Sequence, residues 1–346
     1  MDDLAWRRLC QQFPHVPHNF RIEQVRQRAQ AGRPLAGGSR PVIALAFSFD
    51  GTTLAASGGG LIPGAVDIRV FDVPSRELRK ICHYHSMGVF NLAFDPGTGL
   101  LASASHDYSV VLWELERSDA IFLVGGPDAG ISRTAAKFVG TQVVIADGMT
   151  FAGARATLTR ADLASGDFQT LFELDEGLGI DHLEVLPLDE LVFVSAGDQR
   201  STEPSELRRV ALDGMKQARF PLDMSLYDLA AVDAQTILAA GSSDGEQTEI
   251  VLLDATSGQT RLKRTLGPEI GANIAPSPDG HRLAVAYDRG VEVCRLESLE
   301  PELQLRLGDE RGCSVAWSPD GRTIAVGTVQ RTVRLFDATT GTEHLA

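Results

Sequence analysis

Three residue types that form hydrolase triads occur close together in the first third of the chain. His85, Ser103 and Asp107 could supply a base, a nucleophile and an orienting carboxylate. Such a triad requires an exposed nucleophile and an oxyanion site, and the sequence identifies neither. Trp113 lies a few residues further on and favours a different interpretation, in which the four side chains form a buried hydrogen-bond network. We therefore predict no catalytic residue here.

Histidines in the same region suggest a metal site only weakly. His83 and His85 are two residues apart on a predicted strand and would share a face, which is compatible with metal binding. His106 is nearby, but no cysteine or carboxylate completes a ligand set. We expect no metal site and no cofactor.

Composition and charge exclude several classes of function. The 346 residues carry a formal net charge of −14, which argues against a protein that neutralises nucleic-acid phosphates or anionic lipid. Apolar runs are too short for a membrane span, and the first thirty residues lack the apolar core of a signal peptide. The four cysteines form no close pair, so we expect a reducing compartment, the cytoplasm. Few lysines beside many arginines suggest a bacterial source.

Two recurring patterns reveal internal repeats. The tight-turn sequence Ser-Pro-Asp-Gly occurs at 277–280 and 318–321, each time between two apolar alternating stretches, and 48–51 is a near copy. A second pattern is a strand that usually ends in an acidic residue. Its last residues, weaker copies included, are Asp72, Glu114, Asp162, Asp213, Asp254, Arg295 and Asp337. These seven positions predict seven units of about four strands, the period of propeller blades.

The second unit resembles the WD-repeat β-propeller family. His85, Ser103, Asp107 and Trp113 fall where that family places its hydrogen-bonded tetrad. The resemblance covers about residues 35–346, although no unit ends in Trp-Asp and the tetrad is complete only once. It implies an all-β fold, a seven-bladed β-propeller of WD-repeat type. The outer strand of the last blade could come from residues just before Leu35, which we slightly favour, or from residues 342–346.

The centre of such a propeller is where an enzyme of this architecture would keep its ligands. The first positions of the inner strands are predicted to be mostly apolar or small, and His182 and Asn273 are the only suitable ligand types near them. The predicted positions are Ala44, Phe90, Ala135, Leu183, Leu229, Asn273 and Ser314. We therefore predict a non-enzymatic protein, with a propeller hydrolase or lactonase carrying a central-channel site as the alternative.

Residues 1–34 differ from the rest and are predicted to form a short helical N-terminal arm. Trp6, Leu9 and Phe13 are spaced as on one helix face, and the segment has a net charge of +3. This arm could dock on the propeller, which is the simpler expectation, on a partner or on a membrane. Two short helices would not form an independent core, so residues 35–346 constitute the propeller domain.

The resemblance implies a scaffold or regulatory subunit that binds other proteins. The four strands of each unit are called a to d in the order in which they occur within the unit, and a d–a loop leads to the next unit. Long b–c loops are predicted in units 1, 3 and 4, and rigid scaffolds commonly carry their binding residues on such loops. Acidic d–a loops would suit a partner with a basic or hydrophobic anchor segment, although a merely solvated rim and drifting loops explain the same pattern about as well. The candidate loop residues are Leu61, Ile62, Met149, Phe151, Arg155 and Arg200, and the acidic loop residues are Asp128, Asp175, Glu176, Asp181, Glu269, Asp309 and Glu310.

Overall fold

The computed structural model describes most of the chain after residue 34. The N-terminal arm, with Trp6, Leu9 and Phe13, lies outside the described residues. These are 35–38, 40–59, 64–116, 119–125, 131–150, 155–175, 178–186, 190–197, 205–214, 217–268, 272–287 and 290–344. Among them there is no helix long and apolar enough to cross a membrane.

The described residues form seven four-stranded antiparallel sheets. The strands are β1 Leu35–Ala36, β2 Val42–Phe47, β3 Thr53–Gly58, β4 Asp67–Asp72, β5 Leu78–His83, β6 Val89–Phe94, β7 Leu101–Ser105, β8 Ser109–Glu114, β9 Asp119–Gly125, β10 Ile131–Val139, β11 Gln142–Thr150, β12 Thr157–Asp162, β13 Phe168–Glu173, β14 Leu178–Leu186, β15 Glu190–Gly197, β16 Glu206–Ala211, β17 Gln217–Pro221, β18 Ser225–Ala231, β19 Thr236–Ser242, β20 Thr248–Asp254, β21 Thr260–Gly267, β22 Ala272–Pro276, β23 Arg282–Tyr287, β24 Gly290–Arg295, β25 Pro301–Leu305, β26 Gly312–Trp317, β27 Thr323–Thr328 and β28 Thr332–Asp337. Six sheets take four consecutive strands, from β2–β5 (sheet 1) to β22–β25 (sheet 6), and sheet 7 has the order β1-β28-β27-β26.

The sheets are arranged in a closed ring. One strand of each sheet, here called its inner strand, contacts the inner strand of the next sheet. The inner strands are, in order, β2, β6, β10, β14, β18, β22 and β26, and β26 contacts β2. Apolar residues fill the spaces between sheets. Val42 and Phe71 of sheet 1, for example, pack in one cluster with Ala325 and Leu335 of sheet 7. The prediction of an all-β propeller is confirmed.

Segments on both sides of the ring of sheets, one before β2 and one after β28, contribute to the closure of sheet 7. Leu35 pairs with Val333 and Ala36 with Thr332, so β1 occupies one half of the outer edge of β28. Glu343 forms a bridge with Phe336 on the other half. The described part of the outer strand is thus Leu35–Ala36, while the predicted donor just before Leu35 lies outside the described residues. Glu343 belongs to the other predicted donor, residues 342–346.

The predicted Ser-Pro-Asp-Gly turns join the first and second strands of their sheets. In the turn after β22, Ser277 Oγ accepts a hydrogen bond from Arg282 N at 2.9 Å and donates to the Asp279 carboxylate at 2.5 Å. Gly280 has φ of 71°, a left-handed conformation that glycine adopts without steric cost. The turn hydrogen bonds lower the pKa of Asp279, with that from Ser277 the strongest cause.

Cationic side chains join neighbouring sheets at the turn that follows the third strand. Lys80 of sheet 1 donates to the carbonyl of Leu115 in sheet 2 at 2.7 Å, although it is only 3% exposed. Similar bonds run from one sheet to the next at Arg160 to Leu212, Arg209 to Ala255, Arg264 to Leu299 and Arg282 to Ala338. Each bond satisfies a carbonyl that the antiparallel ladder leaves unpaired.

An irregularity recurs near the start of the inner strands. The register shifts between Val89 and Asn91 in sheet 2, between Ile180 and His182 in sheet 4, and between Leu226 and Asp228 in sheet 5. Sheets 1, 3 and 7 show shifts at the matching place. Because a bulge inserts one residue, it reverses which face the following residues occupy.

Candidate functional site

The four side chains of the predicted tetrad form one chain of hydrogen bonds in sheet 2. His85 Nδ1 lies 3.0 Å from Asp107 Oδ2, and His85 Nε2 lies 2.7 Å from Ser103 Oγ. Trp113 Nε1 donates to the same Ser103 Oγ at 2.9 Å. Because Nδ1–H donates to the carboxylate, Nε2 is the nitrogen that accepts from the serine hydroxyl.

This network joins the chain segments that enter and leave sheet 2. Asp107 Oδ2 accepts the backbone N–H of Ser86 at 2.9 Å, although strands β6 and β7 separate the two residues in sequence. Burial alone would raise the pKa of Asp107, but bonds with His85, Ser109 and Ser86 together lower it. Ser103 is fully buried, so its hydroxyl is inaccessible to a substrate. The geometry is that of a structural network.

Sheet 7 makes the same connection with a different residue. Gln330 stands where the tetrad would have its aspartate, and its Oε1 accepts the backbone N–H of Arg311 at 2.9 Å. An amide oxygen thus replaces the carboxylate in holding the two loops of this sheet together.

The two other histidines near the tetrad have separate surroundings. His83 Nδ1 lies 2.7 Å from Asp67 Oδ1 on the outer side of sheet 1. The His106 ring lies 4.2 Å from the Phe90 ring, and burial lowers its pKa. The described part of the chain contains no group of three or more His, Cys, Asp and Glu side chains that could hold a metal ion.

The inner strands carry more polar side chains than the sequence interpretation predicted. The bulges shift the matching positions by one residue in sheets 2, 4 and 5, from Phe90, Leu183 and Leu229 to their neighbours. The residues at these positions are Ala44, Asn91, Ala135, His182, Asp228, Asn273 and Ser314. The prediction of a mostly apolar or small set was wrong, because a bulge cannot be located by counting residues from the turn. The channel ring is our term for the polar members of this set with Lys137 and Glu184.

The channel ring links consecutive sheets. Asn91 Oδ1 accepts the backbone N–H of Ala136 at 3.2 Å, which connects sheets 2 and 3. Lys137 Nζ lies 2.8 Å from Glu184 Oε1 and connects sheets 3 and 4. Ser314 Oγ donates to the carbonyl of Val42 at 2.6 Å and connects sheets 7 and 1.

Asp228 and Asn273 form the bonds of the channel ring that connect sheets 5, 6 and 7. Asp228 Oδ2 accepts from Asn273 Nδ2 at 2.6 Å and from the backbone N–H of Ile274 at 2.8 Å. Asn273 Oδ1 in turn accepts the backbone N–H of Val315 at 2.7 Å. Sheets 5, 6 and 7 are therefore joined through two adjacent side chains.

His182 and Asp228 form the connection between sheets 4 and 5. Their Nδ1 and Oδ1 atoms are 3.6 Å apart, and the side chains are 22% and 16% exposed. Burial raises the pKa of Asp228 to about 7 despite the N–H groups of Ile274 and Leu229 that favour its charged form. Burial, followed by the charge of Lys137, lowers the pKa of His182 to about 4. Sequence reasoning singled out His182 and Asn273 but missed Asp228, whose signal was its position just before an apolar pair.

The predicted loop residues are only partly described. Leu61, Ile62, Phe151 and Arg200 lie outside the described residues. Arg155 is exposed and forms an ion pair with Glu173 at 2.8 Å. Met149 belongs to strand β11, not to a loop, because pairing with β10 continues to Thr150.

The acidic residues predicted in loops lie in different surroundings, and some of them lie outside the described residues. Asp175 and Asp309 are exposed in connections between sheets, whereas Asp181 is exposed but lies within β14 at its bulge. Glu310 accepts from Thr332 Oγ1 at 2.7 Å, so it holds the start of β28. Asp128, Glu176 and Glu269 lie outside the described residues.

Comparison with known proteins agrees with the geometry of sheets 2 and 7. The family described as WD domain, G-beta repeat matches residues 76–114 and 308–337. The fold is a WD40 β-propeller. A solved structure, the WD40 beta propeller domain of Doa1, is similar with a TM-score of 0.65 over 88% of this chain and 96% of that chain, at 16% sequence identity. A search of curated proteins found no match.

The matched WD40 repeats include the tetrad and the turn sequence from which the resemblance started. Residues 76–114 contain all four tetrad side chains, and residues 308–337 contain the last Ser-Pro-Asp-Gly turn. Proteins of this fold are typically platforms for protein interactions, and this is the level at which the comparison informs function.

Proposed function

We propose that this WD40 propeller is a non-enzymatic scaffold or regulatory subunit that binds a partner protein with a basic or hydrophobic anchor segment. The observation that carries the proposal is a closed ring of sheets in which the connections between the second and third strands differ in length. The b–c connection of sheet 2 needs only residues 106–108, whereas those of sheets 1, 3 and 4 span 59–66, 151–156 and 198–205. The side chains on such connections can differ without changing the packing between the sheets.

Hydrogen bonds support the placement of two kinds of connection at one face. In sheet 2, the backbone N–H of His106 donates to the carbonyl of Gly88, which joins the b–c connection to the entry of β6. In sheet 7, the N–H of Val329 donates to the carbonyl of Arg311 in the same way. The exposed Asp175 and Asp309 lie in d–a connections, and a chain with a net charge of −14 would attract a basic partner.

A cytoplasmic location and a bacterial source remain part of this proposal. Cys82, Cys294 and Cys313 are free, and burial raises the pKa of each thiol to about 12. Thiols that stay protonated and unpaired suit a reducing compartment. We also propose that residues 1–34 form a helical arm, which either docks on the ring or adds to the partner site.

The test is to replace the connections of sheets 1, 3 and 4 by the short form found in sheet 2, in the full-length chain. We expect the melting temperature of the variant to equal that of wild type. Native partners are first identified by co-purification and mass spectrometry, and their affinity for the variant should fall at least tenfold. Phe49→Ala is the matched control, because Phe49 is 70% exposed in the a–b turn at the opposite face. Unchanged partner binding by the loop variant would refute the proposed location.

A further inference from the structure

We propose that His182 and Asp228 share a single proton, which makes the joint between sheets 4 and 5 a proton-holding element of the channel wall. Neither scaffold function nor the WD40 fold requires such a pair. The inference rests on where the two side chains lie and on the charges that surround them.

The geometry brings the two titratable atoms together at a joint between strands. His182 lies on β14 and Asp228 on β18, which are the inner strands of adjacent sheets in contact with each other. Nδ1 and Oδ1 lie 3.6 Å apart, within ion-pair range but longer than a hydrogen bond, and less than a quarter of each side chain is exposed. Oδ2 accepts from Asn273 and Ile274, and Oδ1 accepts the backbone N–H of Leu229 at 2.9 Å. The remaining lone pair of Oδ1 is therefore the one nearest the imidazole, and the two groups are coupled through their charges.

The neighbouring charges favour one proton over none or two. Lys137 of β10 acts on both groups: its positive charge opposes a second proton on His182, and it also favours ionisation of Asp228, where the opposite effect of Glu184 is the larger. Glu184 of β14 carries a negative charge near Asp228 and opposes loss of the last proton. Asp181 at the β14 bulge is exposed, but desolvation raises its pKa to about 6, so it titrates near this range in wild type and variants alike and cancels when they are compared. Tyr227 precedes Asp228 on β18, and Asn273 of β22 is neutral. The net effect is a pair held in its singly protonated state.

The consequence for stability follows from counting protons in each state. An unfolded chain at pH 4.5–6 has a charged histidine and a charged aspartate, hence one proton on the two groups, as in the folded pair. The pair therefore adds no pH dependence to folding in this range. If only one of the two residues were present, it would make the stability depend on pH. The dependence would have opposite signs for Asp228 alone and for His182 alone.

The experiment measures the free energy of unfolding of the full chain by urea titration at pH 4.5, 5, 5.5 and 6. For His182→Gln, the folded state keeps a proton on Asp228 that the unfolded state has lost. The folded-to-unfolded ratio, relative to wild type, should thus fall with rising pH by up to about tenfold per unit. For Asp228→Asn, the unfolded state binds a proton on His182 that the folded state does not, so the relative ratio should rise by up to about tenfold per unit.

The double variant and a change at an exposed, uncharged position provide the controls. His182→Gln with Asp228→Asn should restore the wild-type slope, because neither state then titrates at this joint. Phe49→Ala, at a residue that is 70% exposed and carries no titratable group, should leave the slope at that of wild type. Slopes of the same sign for the two single variants, or no change in either, would overturn the proposal.

A spectroscopic measurement covers the case in which a variant does not fold. In wild-type protein, the His182 ring resonances, followed by NMR, should stay constant between pH 5 and 6.5. A free histidine titrates with a midpoint of about 6.5, and such a midpoint for His182 would contradict the shared proton. These outcomes concern only the joint, so they are independent of whether the loops bind a partner.

Discussion

Individual side chains in sheet 2 show how a list of reactive residue types can be misleading. Ser103, His85 and Asp107 have the composition of a hydrolase triad, yet the serine hydroxyl is buried and receives the Trp113 N–H. A nucleophile without access to solvent cannot meet a substrate. The same three contacts instead fix the tautomer of His85 and hold two loops together.

Trp113 is the side chain whose loss should cost most in this network. It is 1% exposed, packs with Ile68, Val89 and Leu101, and donates to Ser103. Trp113→Ala should reduce the free energy of unfolding by about 3–5 kcal/mol, through the cavity and the lost hydrogen bond to Ser103 Oγ. Chemical denaturation measures this. Phe49→Ala, at an exposed position, should stay within about 0.5 kcal/mol of wild type, and an equal effect of both changes would contradict the network.

The inner strands are the elements that decide what the channel contains. Each bulge moves a polar residue onto the face where it can reach the next sheet, as with Asn91 in sheet 2 and Asp228 in sheet 5. The ring is thus joined by side-chain bonds along its inner strands, while cations such as Lys80 and Arg209 join it at the turns.

Asn273 serves two of these joints and Asn91 serves one, so the two residues form a matched pair for mutation. Asn91→Ala leaves the buried N–H of Ala136 unpaired and should cost about 1–3 kcal/mol. Asn273→Ala removes the acceptor of Val315 N–H and the donor to Asp228, and should cost more than Asn91→Ala. Urea unfolding of both variants gives the comparison. If the Asn91 variant is the less stable of the two, the loss of stability does not follow the number of hydrogen bonds that each asparagine makes between sheets.

At the scale of the whole molecule, stability depends on closing the ring with two segments that are far apart in the sequence. Residues 35–36 and 343 share the edge of β28, and Arg334 pairs with Glu343. The N–H of Gly37 also donates to the carbonyl of Arg331 at 2.7 Å. The first and last sheets are therefore the place where the ring can open.

Two truncations isolate the contribution of β1. Removing residues 1–36 should cost about 1–3 kcal/mol relative to removing residues 1–32, because only the longer deletion breaks the pairing with β28. Thermal and urea unfolding of the two truncated chains measure the difference. Equal stability would show that the C-terminal bridge closes sheet 7 by itself. A loss of solubility on removing residues 1–32 would instead indicate an arm that docks on the ring.

Local sequence determined the repeating architecture of this protein. Alternating apolar residues between Ser-Pro-Asp-Gly turns specify paired strands, because side chains alternate across a strand and the turn requires glycine at a left-handed position. The four tetrad residues could be assigned for the same reason, since their spacing within one unit sets their neighbours. Loop residues such as Arg200 could be placed on a connection, but not against a partner.

Tertiary structure alone decided the channel and the closure of the ring. A bulge changes the face of every residue after it, and the turn and strand pattern of a unit does not reveal where the bulge lies. Asp228 therefore could not be matched with His182, 46 residues earlier, until the inner strands of sheets 4 and 5 were in contact. The edge of β28 was likewise open to two predicted donors, and only the tertiary contacts show that Leu35–Ala36 and Glu343 both pair with it.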